Sequence, residues 1–282
     1  MIKPLKRISI AIVMSSSCFY CSAYAQDAQV ESSSPDFTMG FNYSVNFQAY
    51  KGHKTSQTLL PVFFYDNDKF YIEGDDAGYY LFKDDKNQLR LDAHYDGNTY
   101  DPSGELYLLD KRKWSVLAGA SYMRITPYGG FKARLNTDTL SRSKGTILRA
   151  SYLAELDKGN LTVYPEAGFQ WNNAKYNQYY YGVSDAESKR SGIAAYEPGQ
   201  SISPFVSMTA NYKLSKHVNA FSSVEFNYLS NEQFKSPMVK KRTDITQLWG
   251  LPLPFKHDNS FHSASVSKTY ILKIPTVKGI EV

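Results

Sequence analysis

Cysteine is nearly absent from this chain of 282 residues: Cys18 and Cys21 are its only two, and both lie within the first 25 positions. Downstream there is no thiol for a disulfide scaffold, a cysteine-ligated metal or thiol catalysis. Long apolar runs are missing too. Beyond the amino-terminal segment no stretch approaches the ~20 apolar residues that a membrane helix needs. Charge of one sign is not in excess. Lys3, Lys6 and Arg7 belong to the amino-terminal segment, and without them the net charge falls from +5 to +2. That balance excludes a nucleic-acid footprint, so the short run Lys240–Arg242 reads as a solvated loop. Signatures of catalysis are also lacking. The histidines His53, His94, His217, His257 and His262 form no H-E-x-x-H pair, and there is no G-x-S-x-G elbow. No EF-hand spacing follows Asp75-Asp76 or Asp84-Asp85, which read as turn formers. No phosphate-binding glycine loop appears, no metal or cofactor is implied, and the chain is not read as an enzyme.

The amino terminus reads as an export signal. Lys3, Lys6 and Arg7 precede a short apolar stretch, Ile8 to Met14, and Ala23-Tyr24-Ala25 is an A-x-A site. Cleavage is expected between Ala25 and Gln26. A membrane anchor would need a longer apolar stretch. A lipoprotein would need an apolar residue three positions before Cys18 or Cys21, where Ser15 and Cys18 stand.

Aromatic residues are what the chain has in plenty: 15% of it, with 23 Tyr and 16 Phe. Their spacing is period two. Phe37, Met39, Phe41, Tyr43, Val45 and Phe47 alternate with small polar residues, and the same pattern recurs through 114–122, 148–156, 161–171, 202–212 and 218–228. Such alternation places the two sets on opposite faces of a strand. These strands are long, about 10–13 residues, where a globular sheet averages ~5–6 and a membrane-spanning strand needs ~9–11. Aromatics crowd the strand ends, at Phe37, Phe47, Trp114, Tyr122, Phe169, Trp171 and Tyr228, like the interfacial girdles of an outer-membrane barrel. A secreted β-sandwich is the alternative. The spacing predicts strands at 36–49, 55–65, 68–74, 77–83, 87–96, 113–125, 129–136, 145–156, 160–172, 202–213 and 217–229. With a closing strand beyond residue 240, the result is an all-β, antiparallel transmembrane barrel of about twelve strands among outer-membrane lipids. Loop parity agrees. The turns at 66–67, 84–86, 126–128, 157–159 and 214–216 are all short, and the connections at 97–112, 137–144, 173–201 and 230–242 all fall on the other side, as they do in outer-membrane barrels.

The polar faces supply candidate lumen residues: Arg149, Glu155, Glu166 and Glu225, with Arg90, Asp92 and His94 on one inward surface. A catalytic His-Asp pair is weighed there against ionic lining, which is the expected role. The long connection 173–201 exceeds the ~12–15 residues beyond which loops are usually functional. Tyr176, Tyr179, Tyr180, Tyr181, Lys189 and Arg190 are its candidate binding or pore-constricting residues. A packed loop with a short helix at 184–189 is the alternative, Ser184 serving as N-cap and Glu187 completing a capping box.

Asn177 to Val183, Glu187-Ser188, Arg190 to Gly192 and Tyr196 resemble a signature of the MipA/OmpV family of outer-membrane proteins. Tyr65 to Phe82, Leu109 to Lys113, Gly159 to Asn172 and Ser236 to Val239 are similar to other family stretches. The resemblance covers about 37–242. It implies a barrel with no catalytic residues to carry over. It further implies a scaffold that brings a murein-cleaving lytic transglycosylase together with a murein synthase, other members being discussed as adhesins or small-molecule routes. The organisation expected is a signal at 1–25, a periplasmic segment at 26–36, the barrel at 37–242 and an atypical tail at 243–282. In that tail Pro252 and Pro254 are expected to interrupt a ladder, Ile245 to Trp249 is too short to span, and Val282 replaces the family's terminal aromatic. A shift of reading frame near residue 242 would produce such a tail.

Overall fold

The computed structural model describes residues 37–52, 55–215 and 218–254. The expected leader with its Ala25-Gln26 junction, the segment 26–36 and the chain beyond 254 lie outside them, as do His53, His217, His257 and His262.

Thirteen strands form a single antiparallel sheet: β1 (Thr38–Phe47), β2 (Ser56–Asp66), β3 (Phe70–Gly74), β4 (Asp76–Lys83), β5 (Asn87–Asp96), β6 (Ser115–Thr126), β7 (Gly129–Asp138), β8 (Thr146–Leu153), β9 (Leu156–Lys158), β10 (Leu161–Asn172), β11 (Ser201–Lys213), β12 (Asn219–Tyr228) and β13 (Thr243–Pro254). Consecutive strands pair, except β8 with β9, and β13 pairs with β1, so the sheet closes. β8 and the three-residue β9 both pair with β10 in one continuing register, from Glu166↔Leu153 to Leu161↔Lys158. They count as one wall strand with a kink at Ala154-Glu155, and the barrel has twelve. Closure satisfies the backbone groups that lipid cannot.

The closing strand corrects one expectation. Ile245 to Trp249 is part of a strand of 12 residues, not an isolated short stretch. Its ladder with β1 runs from Phe47↔Ile245 to Thr38↔Pro254, whereas β12 reaches only to Gly250. Pro252 and Pro254 therefore stand where β13 is an edge on one side, the place in a sheet where proline is tolerated.

Alternation sets the two faces. Outward-facing Phe41, Leu59, Leu91, Leu135, Phe169, Ile202 and Leu251 are exposed, as a lipid belt must be. Outward rings pair across strands, Tyr43 with Trp249 at 6.0 Å and Phe131 with Tyr152 at 5.3 Å. Most inward-facing positions are small or polar, with a few buried apolar side chains such as Val62, Leu117 and Phe205 among them. Gly119 is one of the small positions, and a Cβ there would strike the carbonyl of Leu135 on β7. The short turns, such as Asp84–Lys86, lie at one end. Asp84 accepts from the backbone N–H groups of Lys86 (2.7 Å) and Asn87 (2.6 Å), which holds its carboxyl below the usual range. The long connections, with described residues 48–52 and 55, 97–114, 139–145, 173–200 and 229–242, lie at the other end. They carry α1 (Ala174–Tyr181), α2 (Asp185–Ser191) and α3 (Asn231–Phe234).

Candidate functional site

Among the described residues a buried apolar cluster is built mainly from the long loops, with Leu117 and Ile147 of the sheet beneath it. Tyr50, Tyr100, Leu106, Leu109, Tyr176, Tyr180, Tyr181, Val183 and Met238 pack together as a cap. Its stretches come from four different connections and are tied by buried polar contacts. Tyr50 Oη donates to Tyr180 O (3.1 Å), Ser236 Oγ to Tyr181 O (2.6 Å) and Arg112 Nη2 to Gly182 O (3.1 Å). Asn173 caps α1 by accepting from Tyr176 N–H, and Ser184 with Glu187 forms the expected capping box on α2. Glu187 does more than cap. Its Oε1 accepts from Arg112 Nη2 (2.7 Å) and from Asp110 N–H (2.9 Å). Burial alone would raise this carboxyl. The hydrogen bonds from Ser184 and Asp110 and the Arg112 charge instead hold it below the usual carboxylate range. Burial drives the tyrosines the other way, Tyr100 up to about 12 and Tyr176 well above its ordinary value.

The loop candidates therefore divide. Tyr180 and Tyr181 are buried core of the cap, not a surface offered to a ligand. Tyr179 packs against that core, and its Oη accepts from Lys113 N–H at 2.9 Å. Arg190 is exposed and holds Asp110 (2.7 Å) and Leu108 O (2.8 Å).

Beneath the cap is a chamber of about 740 Å³. It is lined by Asn42, Ser44 and Asn46 of β1, Ser56 to Val62 of β2 at alternate positions, His94 of β5, Asn136 of β7 and Gln170 of β10, with Tyr176 and Tyr181 above. Charged side chains cross the lumen along two chords. Arg134 of β7 pairs with Asp76 of β4 and lies 3.4 Å from Asp92 of β5. Arg149 of β8 reaches Glu225 of β12 at 2.5 Å and packs on the Phe205 ring. A third pair fills the wall side, where Arg90 contacts Glu73 (3.4 Å) between the rings of Tyr71 and Tyr80.

Of the lumen candidates, Arg90, Asp92 and Arg149 with Glu225 sit in these pairs, while His94 and Glu166 line the chamber. Asp92 is engaged by Asn136 Nδ2 (2.6 Å) and Arg134. Its partners are those of an ionic lining. Glu155 does not line the chamber. The β8–β9 kink sets it at the short-turn end beside Asp157 and Tyr164. Glu73, Asp76, Lys132, Arg134 and Asn136 were missed. The alternation of Phe131, Ala133 and Leu135 with Lys132, Arg134 and Asn136 on β7 carried the signal for three of them.

A closed antiparallel barrel with an apolar aromatic outside, a charged interior, short turns at one end and long loops at the other is an outer-membrane β-barrel protein. The family profile described as "MltA-interacting protein MipA" matches residues 39–251. The MltA-interacting protein of Escherichia coli (strain K12) is 35% identical over 221 residues, 77% of this chain and 89% of that one. Outer membrane protein OmpV of Vibrio cholerae is 23% identical over 193 residues, 67% of this chain and 75% of its own length. An outer membrane channel of known structure from Pseudomonas putida aligns with a TM-score of 0.43 at 9% identity, over 78% of this chain and 95% of its own. The chain belongs to the MltA-interacting protein family. The signature stretches around 109–113, 177–196 and 236–239 meet in the cap.

Proposed function

We propose that this barrel is a non-catalytic docking protein of the outer membrane. It would hold a lytic transglycosylase, and through it a murein synthase, at its short-turn face. The observation that carries this reading is the 35% identity along 89% of the relative named for its interaction with MltA. The lumen supports it, because ion pairs cross the lumen along two chords and a cap lies over its loop end, which suits an interaction protein better than an open pore. A stable interface buries ~800 Å² per partner, and the short turns offer little area individually. β1 begins at that same end, so residues 26–36, which precede it in the sequence, are the further segment the proposal tests. Co-purification of a lytic transglycosylase with the tagged full-length barrel is expected, reduced on deleting residues 26–36. No co-purification from either chain would sink the proposal.

The polar chamber favours one second reading, a narrow channel for small polar solutes. Steady single-channel conductance that changes in Glu166→Gln would replace docking by transport as the leading activity.

A further inference from the structure

β3 and β4 form a hairpin too short for the wall they belong to. Glu73 pairs with Asp76, and the turn between them is Gly74-Asp75, with Gly74 at φ +69°. On β2 the ladder with β3 starts at Phe63↔Gly74 and runs only towards the short-turn end. Among the described residues, Ser56 to Val62 thus have a strand partner on the β1 side alone. Seven residues left unpaired on one flank span ~20 Å of strand, and the missing upper halves of two strands leave a notch about 10 Å wide. Pro61, which has no N–H to offer a ladder, stands near the lower end of this stretch.

The notch is framed on all sides. Gly74-Asp75 is its sill, and Asp75 O accepts from Tyr95 N–H at 3.0 Å. Its far jamb is the end of β5 with 97–99. Its lintel is the contact of the two loops above, where Tyr100 Oη donates to Lys51 O at 3.5 Å and Ser103 Oγ donates to Gly52 O. Both jambs line the chamber: Ser56, Thr58, Leu60 and Val62 on one side, and the consecutive residues His94 to Thr99 on the other. Tyr95 belongs to the outward-facing set of β5 and also lines the chamber. The outer face beside the opening is apolar. Leu59 just outside it is 64% exposed. Leu60 has inward parity yet is 39% exposed. Leu60 and Val62 are apolar on an inward face whose neighbours on β1 are Asn42, Ser44 and Asn46. Deeper in, Asn42 Oδ1, Gln48 Oε1 and His94 Nδ1 are buried without a hydrogen-bond partner among the described residues.

We infer that this notch is a lateral window that admits an outer-leaflet lipid polar end first, with its acyl tail left in the opening. The tail lies against Leu60 and Val62, and the polar chamber receives the polar end. An unpaired strand flank is costly against hydrocarbon unless it lines a cavity, and the polar chamber behind the notch is such a cavity. The window is independent of the docking role, since it lies at the opposite half of the wall from the short turns.

Cys18 and Cys21 are the chain's only cysteines, so in a Cys18→Ser, Cys21→Ser background single-cysteine labelling is site-specific. Leu59→Cys (outward), Leu60→Cys (inward, at the window) and Gln170→Cys (inward, across the chamber) would each carry a small fluorophore. The full-length protein would be reconstituted into vesicles of phosphatidylcholine with brominated tails. Quenching at Leu60→Cys comparable to that at Leu59→Cys, with the Gln170→Cys label protected, is the expected result. Protection at Leu60→Cys equal to that at Gln170→Cys overturns the window. Quenching there by added brominated dodecanoate but not by the brominated lipid overturns the lipid tail as occupant. If Leu60→Cys fails to give a heat-modifiable band, Thr58→Cys on the same flank takes its place.

Discussion

Arg112 and Glu187 meet at 2.7 Å with both side chains almost wholly removed from water. They join the loop after β5 to the first turn of α2. Neither charge has another counter-ion within bridging distance among the described residues, so the pair is the buried latch between these segments, beside the exposed Arg190–Asp110 pair. Removing one partner of a buried pair costs about 3–5 kcal/mol, because the other is left charged and dry. Glu187→Gln keeps the shape and removes the charge. We expect faster amide exchange and earlier proteolytic nicking across 174–191, with the heat-modifiable mobility of the barrel unchanged. Exchange identical to the parent would show that Arg112 is satisfied by the carbonyls of Asp110 and Gly182 alone.

The same carboxyl gives the cap a pH dependence whose sign is fixed. Its folded value lies below the ordinary 4.5, so its contribution is complete above that pH and is lost as the pH falls through it towards the lower folded value. The buried tyrosines act at the other end. Tyr176 is raised above its ordinary 10.0, so its contribution is complete below that pH and lost as the pH rises beyond it. Susceptibility of the loops to a broad-range protease should be lowest between these limits and rise on both sides. A profile flat on the acid side would remove Glu187 from the account.

Arg149 and Arg134 predict the electrical behaviour of the lumen. Each spans a chord from its own strand to a carboxylate three strands away, Arg149 to Glu225 and Arg134 to Asp76. The double variant Arg134→Ala, Arg149→Ala removes both bars while leaving the outward-facing belt untouched. Ion conductance in a planar bilayer should be small for the parent and several-fold higher for the variant. Equal conductance would mean that the cap, not the charged layer, limits passage.

How much of this was legible in the sequence depends on how local each signal is. Strand positions and loop parity came through because period two is written into each segment separately. The α2 cap was readable for the same reason, since Ser184 and Glu187 are three residues apart. The cross-lumen pairs were not readable, because Arg134 and Asp76 meet only once register and closure are set. The tyrosines of α1 looked like a surface because a long loop usually is one. Here loops from four connections bury each other, and the rings become a core. The closing strand was misjudged because a proline was weighed as though β13 were flanked on both sides throughout.

That last point yields a prediction about the end of the chain. β13 completes its pairing with β1 at Pro254 and with β12 at Gly250, and the family match stops at 251. Tyr43 and Trp249 stack at 6.0 Å across the seam, adding about 0.5–1.5 kcal/mol beyond area burial for such a pair. All twelve wall strands are therefore present in a chain that stops after Pro254. Such a truncation should still migrate as a heat-modifiable band after assembly into outer-membrane lipid, whereas a chain stopped after Arg242 should not. If both truncations fail while the full-length protein succeeds, residues beyond 254 contribute to closure or to assembly. If both succeed, the β13 seam is dispensable and the twelve-strand count is wrong.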